Sequence, residues 1–316
     1  MKRLLVGVSA VIRQDLQRVD GRRVDALSST PSLNDADSKL GISADDEHTV
    51  RRAMALAAES GGELRLLHAV DFIDRKLVHD DLVDSVRAQL ADDLARLSNE
   101  AASLGVGVAS EVVEGRPWRR LLEKADSWDA DVIVVSPRRR ELPTLDRLRY
   151  GSTTQRLVRH ADRPVWVVEG GASGSIRKIL ALVDGTPASA SVIEAARQLA
   201  ASTGADKAVL HCLSFPDDIA LHRLPHARDA LARYHREEKE RATRWVQEIV
   251  AEPGWTVLID VDWVVRTVPK LIARDGYDLV VVAARSHPSL RGLLGTTAER
   301  ILARVDTSCW IVPCAL

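Results

Sequence analysis

Apolar positions along this chain fall into short unbroken runs separated by longer segments of helical period. Leu4 to Ile12 is one such run, and Arg177-Lys-Ile-Leu-Ala-Leu-Val183 repeats its pattern far downstream. Short runs without polar alternation mark strands buried on both faces. Lys2-Arg3 ahead of the first run would also suit a secretory signal. A signal has no reason to recur deep inside the chain, so a strand is the reading. In the downstream half the pattern predicts strands at 178–183, 207–213, 256–261, 279–284 and 309–312. Between them it predicts a helix after Pro187, with Ala190, Ile193, Ala196 and Leu199 on one stripe, and a long charged helix at 226–251. Two more helices follow, at 268–274 and from near Thr296. Alternating strands and helices with fully apolar strands imply a parallel sheet covered on both faces. Right-handed crossovers then wind it doubly, and ligands sit at the carboxyl ends of its strands near the switch point.

The upstream half carries the same unit. At an offset of 143, Ala53 meets Ala196, Leu56 meets Leu199, Gly61 meets Gly204, Leu67-His68 meets Leu210-His211 and Phe72 meets Phe215. At 144, Gly151 meets Gly295, Thr153 meets Thr297, Arg156 meets Arg300 and Trp166 meets Trp310. One offset held over roughly a hundred positions is a tandem duplication. The expected domains are 1–170 and 176–316, joined by the linker Glu169-Gly-Gly-Ala-Ser-Gly-Ser175. The expected fold is α/β: two tandem doubly wound domains, each a five-stranded parallel sheet flanked by helices, related by pseudo-two-fold symmetry. A single continuous sheet would count against it. The first strand aligns at 175 (Ser9 with Asp184), so 175 − 143 = 32 extra residues lie at about 13–45. They read as a mobile surface insertion or as a lid over the carboxyl end of the first strand.

Composition narrows the function. A length of 316 residues suits two domains, and 46% apolar with 28% charged is a soluble globular balance. A formal net charge of −1 removes any bulk drive toward nucleic acid or anionic membrane. The cysteines are three, none in a CxxC pair, which excludes a disulfide framework and fits a reducing, cytoplasmic location. No apolar run approaches the roughly 18 residues of a membrane span.

The second copy reads Val183-Asp184-Gly185-Thr186, then Ala283-Ala-Arg-Ser286, then Gly295-Thr296-Thr297-Ala-Glu. This arrangement resembles the universal stress protein family in its tandem two-domain form, over essentially the whole chain apart from the insertion. The resemblance implies ATP binding through an Asp after the first strand and a later G-x2-G-x9-G-[ST] motif. Glycines in such a motif allow unusual dihedrals and close backbone approach to phosphate, and the final pair opens a helix whose free N–H groups attract anions. The candidate nucleotide-binding residues are Val183, Asp184, Ala283, Ser286, Gly295, Thr296 and Thr297, with ATP or AMP as the ligand. Ala283 and Ser286 replace the first two glycines, and the second gap is eight residues. In the first copy the matching positions are Ser9, Ser136, Arg139, Gly151, Ser152 and Thr153, a more degraded site. Non-glycine residues at positive φ cost roughly 1–2 kcal/mol each, so tight ATP binding is not expected, least of all in the first copy.

Other chemistry is sparse. Arg138-Arg139-Arg140 stands in the place of the first phosphate loop, within eight arginines between Arg138 and Arg163. Guanidinium groups bind phosphate without glycine geometry, although a solvated face is the plainer reading. Only Tyr150 interleaves with these arginines, so nucleic acid is not expected. His68 and His211 read as strand residues rather than ligands, and no metal site is proposed. Cys212 beside His211 cannot be a nucleophile–base pair, because adjacent strand residues face opposite ways. No catalytic constellation is legible; a nucleotide hydrolase would need a base and a metal clamp, and Asp184 stands alone. Trp166 and Trp310 sit on apolar last strands that need partners, and are expected to pair the two domains within the chain; a homodimer is the other use of such an edge. The leading reading is a non-catalytic stress-response protein that binds a small ligand. The alternative is an interaction module, or a carrier of an apolar or lipid ligand, that has lost nucleotide.

Overall fold

The computed structural model describes residues 1–8, 10–13, 39–70, 80–137, 151–170, 175–215, 228–285 and 295–313. The first half contains β1 (Arg3–Val8), β2 (Ala10–Arg13), β3 (Lys39–Ile42), α1 (Ala44–Ser60), β4 (Glu63–Val70) and α2 (Asp80–Ser103). It continues with β5 (Gly107–Glu114), α3 (Pro117–Trp128), β6 (Val132–Val135), α4 (Ser152–His160) and β7 (Val165–Val167). The second half contains β8 (Lys178–Val183), α5 (Ala188–Thr203), β9 (Asp206–Leu213), α6 (Arg228–Val250) and β10 (Trp255–Val261). It ends with α7 (Val264–Asp275), β11 (Leu279–Ala283), α8 (Thr296–Leu302) and β12 (Ser308–Val312).

The strands form one ten-stranded sheet in the order β10-β9-β8-β11-β12-β7-β6-β1-β4-β5. Two separate sheets were expected, so the sheet is a correction. Its two halves are nonetheless alike. Each holds five parallel strands, in the order third, second, first, fourth, fifth by chain position. The halves meet where β12 pairs antiparallel with β7, and Trp310 lies opposite Trp166. The physical reason is the composition of these last strands: β7 and β12 are buried at every position. Such strands cannot leave a backbone edge to water, and hydrogen bonding between two edges makes one sheet. Burial falls away toward the outer strands β5 and β10, which are largely half-buried or exposed.

Alternation along the strands splits the core between two faces. Leu4, Trp166 and Trp310 pack on one face with Val50 of α1 and Ile193 of α5. Leu5 and Leu180 pack on the other with Leu121 of α3, Leu157 of α4, Val268 of α7 and Ile301 of α8. Both faces run unbroken across the joint. There the two tryptophan rings lie 5.8 Å apart at 40°, and the Glu169 amide donates to Ser308 Oγ at 3.1 Å. The matched glycines Gly61 and Gly204 both end helices in the left-handed region, at φ 62° and 70°. A Cβ there is strained, which is why glycine recurs at that point of both copies.

Two local expectations need correcting. The first apolar run does not stay in one strand: β1 ends at Val8, and β2 leaves to pair antiparallel with β3 in a separate two-stranded sheet. The far end of the 13–45 surplus therefore folds as β3 and the start of α1, and residues 14–38 lie outside the described residues. The helix expected at 268–274 starts earlier, at Val264, with Pro269 inside it. Proline removes one amide donor and disfavours a helix interior, which made the helix look shorter than it is.

Trp166→Ala and Trp310→Ala are each expected to lower stability by about 3–5 kcal/mol, as truncation of a large buried side chain does. Because the rings touch, urea denaturation of the double variant should show a loss smaller than the sum. Additive losses would mean that the joint is not held by this pair.

Candidate functional site

In the second half a cavity of about 220 Å³ opens at the carboxyl ends of β8, β9, β10 and β11. This is the switch point, where β9 and β11 leave opposite sides of β8 and helices part above the sheet. Leu182, Val183, Val192, Val264, Val282 and Ala298 give it an apolar lining. Asp184, Ser189, His211, Asp262, Arg285 and Thr297 add polar groups.

Asp184 is exposed at the end of β8. Gly185 follows at φ +80°, a turn that favours glycine. The turn brings the Thr186 amide and hydroxyl to Asp184 Oδ1 at 3.1 and 2.6 Å. Ser189 Oγ, from the first turn of α5, donates to the same oxygen at 3.4 Å and accepts from the Asp184 amide at 3.3 Å. The carboxylate is thus held in place at the cavity rim. His211 Nδ1 donates to the Val183 carbonyl at 2.9 Å, and its ring meets Trp245 edge-on at 5.1 Å. A neutral imidazole that donates from Nδ1 accepts at Nε2. The Cys212 thiol is pushed up to about 11, first by burial, with Asp260 and Asp262 adding to it. It is a neutral thiol near pH 7, unsuited to nucleophilic attack.

Gly295 closes the opposite end. Its amide donates to Ala284 O at 2.7 Å, and a Cβ at this position would lie 3.1 Å from that carbonyl. Glu299 donates the first helical bond, to Gly295 O at 3.0 Å. The amides of the three residues between have no partner inside α8.

The cavity gathers Val183, Asp184, Ala283, Gly295 and Thr297. Thr296 is the first residue of α8, and Ser286 lies outside the described residues. Sequence reading passed over Ser189, Asp262, Trp263 and Arg285, and read His211 as a strand residue rather than a ligand. His211 did carry a signal, its match with His68. Cys212 borders the cavity beside it despite the alternation of the strand, because the cavity lies at the strand end, where both faces are within reach.

The corresponding place in the first half is differently built. Ser136, at the end of β6, is buried, and its Oγ donates to Asp46 Oδ1 at 2.6 Å. Ser43 Oγ donates to Asp46 Oδ2 at 2.6 Å, and Asp46 is 1% exposed. Asp46 stands 143 residues before Ser189, so the carboxylate here rises from the helix instead of following the strand. Thr154 Oγ1 donates to Ser136 O at 3.2 Å, and the Gly151 amide donates to Pro137 O at 3.2 Å. Ser152 and Thr153 open α4, with Ser152 exposed, while Ser9 and Arg139 lie outside the described residues.

The described arginines of the basic run have structural partners. Arg156 lies over Trp118, Arg159 reaches Glu299 of the other half at 3.9 Å, and Arg163 donates to the Ala125 and Ala130 carbonyls. The others, from Arg138 to Arg149, lie outside the described residues. Among the described residues no three His, Cys, Asp or Glu side chains are grouped to hold a metal ion, and no helix is long and apolar enough to cross a membrane.

Two doubly wound halves fused edge to edge, with a cavity at one switch point, define the class. The model of the universal stress protein family matches residues 41–169 and 175–313, and the chain belongs to that family. Among solved structures it is similar to a putative universal stress protein from Pseudomonas aeruginosa UCBPP-PA14, with 16% identity and a TM-score of 0.62 over 99% of this chain and 93% of that one. A functionally unknown protein from Pseudomonas aeruginosa PAO1 gives 17% and 0.62 over 98% and 92%. A universal stress protein from Archaeoglobus fulgidus DSM 4304 gives 13% and 0.66 over 86% and 96%. These likenesses show the fold. No curated protein matches the sequence.

The Cys212 environment predicts a pH profile. Burial favours the uncharged form, so the thiolate fraction keeps growing until about pH 11. Alkylation of Cys212, followed by peptide mass spectrometry, should rise about tenfold per pH unit from 8 to 10. A plateau near pH 8.5, the range of an ordinary cysteine, would contradict the burial.

Proposed function

We propose that this protein is a non-catalytic stress-response protein that binds an adenine nucleotide, ATP or AMP, in its second half. The observation that carries this reading is the cavity at the second switch point, which gathers Asp184, His211 and Gly295 around one opening. Its volume of about 220 Å³ is below the roughly 300–1,000 Å³ of sites that enclose a whole drug-sized ligand. It suits the nucleoside portion, with phosphates left at the rim near Gly295. The exposed Asp184 carboxylate is an acceptor for ribose hydroxyls, and His211 Nε2 is a second acceptor for a hydroxyl or amino group. Family membership supports the reading. A non-catalytic role is supported by the protonated Cys212 and by the two hydroxyls and one amide engaged with Asp184 Oδ1.

The apolar lining and the residues Ala283 and Ser286 in place of glycine favour the second reading, an apolar or lipid ligand without nucleotide. The first half, where Asp46 is satisfied by Ser43 and Ser136, is not expected to bind a nucleotide. Calorimetry with ATP and AMP should therefore give one site per chain. Asp184→Ala, an exposed change, and Gly295→Asp should each weaken binding by about tenfold or more, the scale of one lost charge-assisted hydrogen bond. No heat with either nucleotide, together with a lipid found by mass spectrometry of the purified protein, would replace this reading with the second.

A further inference from the structure

Six of the seven tryptophans are tied to a ring or a cation. Trp166 and Trp310 meet each other, Trp118 meets His160, Trp245 meets His211, Trp128 lies under Arg65 and Trp255 under Lys207. Trp263 is the exception: among the described residues its indole has no such partner, and it is 54% exposed. The other large exposed apolar side chains among the described residues are Leu104, Tyr234 and Val261. Of these four, only Trp263 borders the cavity. An exposed indole at the mouth of a site offers a flat apolar face to a ligand.

Its backbone is fixed. Trp263 caps the start of α7 at φ −71° and ψ 128°, and its amide donates to Asp262 Oδ1 at 2.7 Å. That bond, with Lys270 nearby, holds the Asp262 carboxyl below its usual range. The matching cap in the first half, at the start of α3, is Arg116. The indole therefore belongs to the half with the open cavity.

Sheet order fixes where it stands relative to the rest. From the end of β11 to the end of β10 the neighbours are β11, β8, β9 and β10. Three strand spacings of about 4.8 Å span about 14 Å. Ala283 and Gly295 mark the first end, Asp184 and Cys212 the middle, and Asp262 and Trp263 the far end. The Asp262 carboxylate disfavours phosphate at the far end, while Val264 and the indole suit an uncharged planar ring.

We infer that Trp263 is a stacking platform for the base of the bound nucleotide, and that it makes binding depend on a large planar ring. This inference rests on the nucleotide reading above. Stacking on an aromatic side chain accounts for about tenfold or more in affinity per base, and a purine offers more area than a pyrimidine.

Calorimetry and tryptophan fluorescence on the full chain test it, with AMP, UMP and ribose 5-phosphate as probes. Wild type should bind AMP more tightly than UMP, and AMP should quench emission. Trp263→Ala should weaken AMP by about tenfold, abolish most of the quench and leave ribose 5-phosphate unchanged; Trp263→Phe should restore much of the affinity. AMP affinity equal in wild type and Trp263→Ala overturns the platform and leaves the nucleotide reading standing. Equal weakening of AMP and ribose 5-phosphate also overturns it, since the side chain would then act on the site as a whole. Binding of none of the three probes by wild type overturns both.

Discussion

An apolar strand at the edge of a sheet cannot be left unpaired, and the rest of this molecule follows from how its two such edges are satisfied. β7 and β12 are buried at every position and carry the two largest buried side chains among the described residues, Trp166 and Trp310. Pairing like edge with like edge about a two-fold axis forces the strands antiparallel and sets equivalent residues opposite each other. The register of Trp166 against Trp310 is that solution written within one chain. It also fixes the direction of everything else. Parallel halves joined antiparallel point their carboxyl ends to opposite ends of the sheet, so the two switch points lie far apart.

Such separation leaves the two sites free to diverge. In the second half the carboxylate follows the strand and stands exposed at a cavity, steadied by Thr186 and Ser189. In the first half the carboxylate stands on α1 instead, buried, with Ser43 and Ser136 each donating to one of its oxygens. A buried carboxylate needs such partners. The hydroxyl of Ser136, in the place of a motif glycine, is one of them.

Much of the fold was legible because it rests on signals that survive in one dimension. Unbroken runs such as Leu4–Val6 and Ile179–Val183 report strands buried on both faces, and the constant offset that pairs Gly61 with Gly204 reports a repeated helix end. The tryptophan edges also carried the joint, but pairing them already implied one sheet, and the expectation of two overlooked that hydrogen bonding across the seam continues it. The hairpin of β2 and β3 was hidden inside what reads as a polar surplus. The site was legible only in part. Asp184 and Gly295 stand in recognisable motifs. Ser189, Trp263 and Asp46 enter through helix starts and strand ends that meet only once the sheet order is known, and no local pattern marks them.

Hydrogen exchange on the native protein tests the seam most directly. If β7 and β12 are hydrogen bonded through the centre of one sheet, the amides facing across that pair open only with global unfolding. They should exchange as slowly as those of β1 and β8, and at the same free energy in urea. Exchange at the rate of the outer strands β5 and β10 would show two separable sheets and contradict the account.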